Sequence, residues 1–109
     1  MTACTCSDAG APRLSAANRE ALARVFKALG HPVRLMIVDM LLDGERCVCE
    51  LHEHSGRDMS TISSHLNTLK ACGLLASEQR GKNVYYSLCC PCIREVLHCL
   101  SASLTPAQP

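Results

Sequence analysis

Apolar positions recur along the chain at two different periods, and the change of period divides it into elements. Between Ser15 and Leu29, the residues Leu22, Val25, Phe26 and Leu29 fall at the spacing of one helix face, and Gly30 closes the run. "HPVRLMIVDMLLDG" puts Pro32 at a first helical position, Val33, Met36, Ile37, Met40 and Leu41 on one side, and Gly44 as the stop. A short third helix, "VCELHEHSG", follows an extended "ERC" and ends at Gly56. The fourth, "MSTISSHLNTLKACG", can be capped by Asp58 or Ser60; it buries Met59, Ile62, Leu66 and Leu69 and leaves at Gly73. The period then drops to two. "LLASEQRGKNVYYSL" reads as strand, turn, strand, with the turn at "RGKN" and Val84, Tyr86 and Leu88 alternating with Tyr85 and Ser87. The last element, "PCIREVLHCLSASL", is a helix opening at Pro91, with Ile93, Val96, Leu97, Leu100 and Leu104 along one side.

Helix, helix, short helix, polar-faced helix and two-stranded hairpin is the order of a winged helix-turn-helix, with its turn at "HSGRD". The expected class is therefore mainly α with a small β-hairpin wing. Residues 15–104 form the DNA-binding and dimerisation domain, between a flexible arm at 1–14 and a flexible tail at 105–109. The fourth helix presents Ser60, Thr61, Ser63, Ser64, Asn67 and Lys70 away from its buried stripe, short groups able to reach base edges. Taken alone that is the solvated side of an amphipathic helix; the hairpin that follows favours DNA. At the hairpin tip Arg80 and Lys82 flank Gly81 and can meet phosphate.

Composition sharpens the oligomeric expectation. A chain of 109 residues with no Trp, one Phe and two Tyr must build its interior from aliphatic side chains, and a modest core of this kind gains burial by dimerising. The clean stripe of the last helix is the natural surface for a homodimer. A formal net charge of +1 neither demands nor excludes nucleic acid.

Nine cysteines change the picture more. No basic start and apolar run open the chain, and the longest apolar stretch, "VRLMIVDMLL", is short and broken by Asp39, so the expected place is the cytoplasm, without a membrane partner. Thiols stay reduced there, which points to metal binding or redox chemistry rather than a disulfide framework. Cys47 and Cys49, two apart, would face opposite ways on an ideal helix and the same way on an extended segment. Joint ligation therefore requires an extended or unwound start to the third helix, directly ahead of the DNA-reading unit. Thiolates suit soft ions, and the competing reading is a pair of buried structural cysteines.

The segments "ALGHPVRLMIVDMLLDGE", "CVCEL", "STISSHLNTLKACGLL" and "RGKNVYYSL", in this order and spacing, resemble the ArsR/SmtB family of bacterial metal- and metalloid-responsive repressors, from about Ala21 to about Leu104. The resemblance implies a homodimeric winged helix that binds double-stranded operator DNA and releases it when a thiophilic ion arrives. By position it implies DNA contacts from Ser60, Thr61, Ser63, Ser64 and His65 on the recognition helix and from Arg80, Lys82 and Tyr85 in the wing. His65 lies partly toward the core, so packing or helix–helix hydrogen bonding competes with a DNA contact. His31, beside Pro32, reads as a helix-start residue.

"CVCEL" also matches the family's sensing motif, which implies Cys47 and Cys49 as thiolate ligands. One branch adds a third thiolate three residues later for As(III) or Sb(III); here that position is His52. Another completes the site for Cd(II) or Pb(II) with cysteines of an N-terminal arm, a part open to Cys4 and Cys6. The Zn(II) branch uses positions occupied here by Cys90 and Cys92 together with later residues, where this chain has Ser103 and Pro106, so its usual site is not expected. Cys89, Cys90 and Cys92 form a second candidate thiolate cluster. Trivalent arsenic is the first expectation for the effector. Cys99 is a weaker candidate, and Cys72 reads as packing.

Cys89 to Cys92 is also a C-x-x-C, the motif of thiol-disulfide oxidoreductases, but no βαβ pattern accompanies it. Nor does any cysteine have an arginine six residues later, as a cysteine phosphate loop requires. The expectation is a regulator rather than an enzyme. A DNA-binding module with a cysteine redox or persulfide switch remains the alternative to metalloid sensing.

Overall fold

A computed structural model of the chain describes residues 13–104. In chain order the elements are α1 (Ala16–Leu29), α2 (Pro32–Leu41), β1 (Arg46–Cys47), α3 (Val48–Ser55), α4 (Met59–Ala71), β2 (Leu75–Arg80), β3 (Asn83–Leu88) and α5 (Ile93–Leu104). Among the described residues, 13–89 make one compact unit and 90–104, with α5, belong to another.

In the larger unit α4 packs against α1, α2, α3 and β2. Its Ile62, Leu66 and Leu69 are wholly buried, as are Ile37 and Val38 of α2 and Leu51 of α3. Burying such side chains contributes about 1.5–3 kcal/mol each, so this cluster holds the helices together. No polar or charged residue shares that core among the described residues.

Local chemistry sets the helix ends. Ser15 caps α1, its hydroxyl accepting from the Asn18 N–H at 3.1 Å. His31 caps α2, its Nδ1 accepting from the Val33 N–H at 3.1 Å, with Pro32 in the first turn. α2 stops at Leu41, short of Gly44, because the N–H groups of Asp43 and Gly44 reach back only three residues, to Met40 and Leu41. α3 ends on Gly56, whose φ of 72° is the left-handed conformation that glycine adopts without penalty.

The sheet has three antiparallel strands in the order β1-β3-β2. β2 and β3 form the expected hairpin, closing at Arg80↔Asn83 around a two-residue loop whose Gly81 has φ 63°. The extended "ERC" does more than lead into a helix. It adds β1 to the sheet, with Arg46 opposite Tyr86 and Cys47 opposite Tyr85.

Several sequence expectations need correction. Met59 is 42% exposed: as the first residue of α4 its side chain leans past the helix end, away from the layer filled by Ile62. Leu22 and Phe26 of α1 are 40% and 48% exposed, so only the end of that stripe, at Leu29, is buried. Residues 84–88 of β3 are all half-buried rather than alternating, since both neighbouring strands and packed helices partly cover them. α5 begins at Ile93 rather than Pro91, because Ile93, Arg94 and Glu95 donate to carbonyls three residues back and make a tight turn of Pro91 and Cys92. The apolar side of α5 has no buried residue, and Val96, Leu100 and Leu104 are all exposed.

Candidate thiolate site and nucleic-acid interface

Cys47 occupies the junction between β1 and α3. As the N-cap of α3 it has extended backbone, φ −69° and ψ 146°, and its sulfur accepts from the Cys49 N–H at 3.3 Å. The Glu50 carboxylate accepts from the Cys47 N–H at 2.9 Å, completing a reciprocal capping box. Because Cys47 lies outside the helix, its side chain turns toward that of Cys49. The Cα atoms are 5.2 Å apart and the two sulfurs are paired with each other. Cys47 is 4% exposed, whereas Cys49 faces solvent, so one sulfur is anchored and the other accessible. The backbone pairing of Cys47 with Tyr85 ties this site to the wing hairpin.

Other cysteines are placed differently. Cys4 and Cys6 lie outside the described residues. Cys89 ends the larger unit, its N–H donating to the Leu74 carbonyl at 2.9 Å, while Cys90 and Cys92 belong to the other unit. Cys72 donates to the Leu69 carbonyl at 3.2 Å and Cys99 is exposed. No group of three or more His, Cys, Asp or Glu side chains converges as a metal cage among the described residues.

The polar face of α4 is prearranged by Asp58. Its carboxylate accepts from the hydroxyls of Ser60 and Thr61, the latter at 2.6 Å, instead of capping the backbone. These two hydroxyls hold the Asp58 pKa down at about 2. Ser63 is half-buried and Ser64 and Asn67 are exposed. The Lys70 ammonium donates to the Ser77 hydroxyl at 2.6 Å, fastening the far end of α4 to β2.

His65 sits between helices. Its Nδ1 accepts from Arg34 Nε at 3.1 Å, and its ring centroid lies 4.4 Å from that of His31. Arg34 also donates to the Ala28 carbonyl at 3.2 Å, so the interaction links α1, α2 and α4. Burial first, then the charges of His31, Arg34 and Arg57, push the His65 pKa below its ordinary value. Below pH about 6.5 the unfolded chain then binds a proton that the folded one resists, so this group withdraws stability as pH falls through that region. Urea midpoints should drop between pH 7.5 and 5.5, and His65→Gln should flatten the dependence. An equally steep dependence in the variant would assign it elsewhere.

In the wing, Arg80 forms a two-pronged pair with the Glu45 carboxylate, with one prong at 3.0 Å, and donates to Glu78 at 2.8 Å. Its guanidinium carbon is 4.8 Å from the Tyr85 ring centroid. Hydrogen bonding from Arg80 lowers the Glu45 pKa, and the two carboxylates raise that of Arg80. Lys82 is exposed in the loop at the tip. Glu45, Arg34 and Asp58 were not among the expected functional residues. Charge alternation marks none of them, since their partners are brought in by the fold from distant or adjacent turns.

Residues 31–77, which span α2 through the start of β2, match the model of the bacterial regulatory protein, arsR family. An uncharacterised HTH-type transcriptional regulator of Methanocaldococcus jannaschii is 42% identical over 69 residues, covering 62% of this chain and 78% of that one. The chain belongs to the ArsR family. This ArsR-family regulator is also 36% identical over 83 residues to a probable mercury resistance operon repressor of Streptomyces lividans, covering 73% of the chain and 66% of the relative. The regulator's fold matches a homodimeric winged helix-turn-helix DNA-binding domain from Mycobacterium bovis, described as a possible ArsR-family transcriptional regulator. Here the TM-score is 0.75 and the identity 30%, over 92% of this chain and 94% of that one. Family and fold make it a DNA-binding transcriptional regulator and not an enzyme, with β2–β3 as the wing. No helix among the described residues is long and apolar enough to cross a membrane.

Proposed function

We propose that this ArsR-family transcriptional repressor leaves its operator when trivalent arsenic, or antimony, is bound by the thiolates of Cys47 and Cys49. The observation that carries the reading is the strand-to-helix junction, which brings an anchored and an accessible sulfur together immediately before the recognition unit. Soft thiolates favour such ions over hard cations. The likeness to a probable mercury resistance repressor supports a thiophilic effector. Two sulfurs leave a third position to be filled, by solvent or by Cys4 or Cys6 of the arm. With the arm, Cd(II) or Pb(II) becomes the preferred ion, and Zn(II) the least suited. Cys89, Cys90 and Cys92 are the second candidate site.

The working form is a homodimer. The uncovered apolar positions Leu22 and Phe26 of α1 and Val96, Leu100 and Leu104 of α5 favour this, as does the likeness to a homodimeric domain. Ser60, Thr61, Ser63, Ser64 and His65 face the major groove with Arg80, Lys82 and Tyr85 on the flanking backbone; His65 acts there chiefly through its bond to Arg34. A second reading, a dithiol switch, draws on the same proximity of the two sulfurs.

The test is fluorescence anisotropy of the reduced protein on an operator selected from random DNA. Arsenite should release the DNA near stoichiometry with protein, and a competing small dithiol that strips the metalloid should restore binding. Release by a thiol oxidant, reversed by reductant and untouched by arsenite, would replace metalloid sensing with the redox switch.

A further inference from the structure

The wing arginine is occupied by the chain's own acids. Glu45 engages both terminal nitrogens of Arg80, and Glu78 engages one of them again. A guanidinium fork fits carboxylate and phosphate by the same planar, two-pronged geometry, so the face of Arg80 that Glu45 covers is the face a DNA phosphate would use. Tyr85 backs the guanidinium, which fixes where the fork points.

Glu45 is also two residues from Cys47. Between them Arg46 pairs with Tyr86, and Cys47 pairs with Tyr85, so Glu45 is the residue directly ahead of the short strand that ends in the anchored sulfur. In one and the same structure the two sulfurs are drawn together and Glu45 holds Arg80. The Glu45 and Arg80 side chains are 41% and 46% exposed, so the pair adds little to folding.

We propose that Glu45 is a positioning residue that competes with DNA phosphate for Arg80, and that closure of the Cys47–Cys49 pair, moving through β1, favours the competing position. The effector thus acts on the wing as well as on the recognition helix. The second half of this inference rests on the reading of Cys47 and Cys49 as the sensor; the first half does not.

Operator binding would be measured for the wild type, Glu45→Gln, Arg80→Ala and the double variant, each reduced, without additive and with arsenite, cadmium or a thiol oxidant. Glu45→Gln should bind roughly three- to fivefold more tightly without additive, the range of an exposed ion pair. Its dependence on salt should also steepen, by up to about 0.9 in the log–log slope for one added phosphate contact. In the Arg80→Ala background the same substitution should bring no gain. An equal gain there would mean a general loss of negative charge, and no gain in either background would mean that Glu45 does not compete; either result overturns the proposal. With an effective agent, Glu45→Gln should lose three- to fivefold less affinity than the wild type. An equal loss removes the relay. If no agent releases the wild type, the sensor reading and the relay fall together, while an Arg80-dependent gain still establishes the competition.

Discussion

With both Cys47 and Cys49 replaced by serine, the repressor stays on its operator at arsenite concentrations that release the wild type. Serine removes the soft donors, since a hydroxyl offers no thiolate at neutral pH and does not hold arsenic or cadmium. It keeps the local fold. The Cys47 sulfur caps α3 by accepting from the Cys49 N–H, and a serine oxygen in that place is a stronger cap. The variant should therefore bind DNA as tightly as the wild type without effector, and the roughly 5- to 150-fold loss of affinity typical of allosteric coupling should vanish. The measurement is anisotropy on one operator, with Cys89→Ser/Cys90→Ser/Cys92→Ser run beside it. If only the triple variant resists arsenite, the sensor is the second cluster.

Leu66→Ala should lower the urea midpoint far more than a neighbouring substitution on the same helix does. Leu66 is wholly buried at the centre of α4, the helix packed against α1, α2, α3 and β2. Truncating such a leucine costs about 2–5 kcal/mol, a large share of the roughly 5–15 kcal/mol that holds a domain folded. Ser64 lies two residues earlier on the exposed face. Ser64→Ala should shift stability by no more than about 0.5 kcal/mol while weakening operator binding. Urea midpoints at fixed protein concentration, paired with anisotropy, separate the two. A destabilised Ser64→Ala with normal DNA binding would remove that face from the interface.

The helices were legible because each buries a stripe whose period survives any tertiary arrangement. Ile62, Leu66 and Leu69 repeat at helical spacing and are buried together. The stripe of α1 misled for the opposite reason: Leu22 and Phe26 have the right period but no cover within the described chain. Periodicity reports that a face is apolar, and does not report what covers it.

At the candidate site, the amino-acid order alone determined that Cys47 and Cys49 could meet only if the chain were extended between them. Side-chain direction at two-residue spacing follows from backbone geometry. That Arg46–Cys47 becomes an edge strand on β3, that Cys47 caps α3 while Cys49 stays open to solvent, and that Glu45 closes on Arg80, was decided by the tertiary structure. Glu45 and Arg80 are 35 residues apart, and His65 and Arg34 are 31 apart. Pairs that distant are brought together by core packing, which lays helices and hairpin across one another and leaves no local pattern in the chain to read.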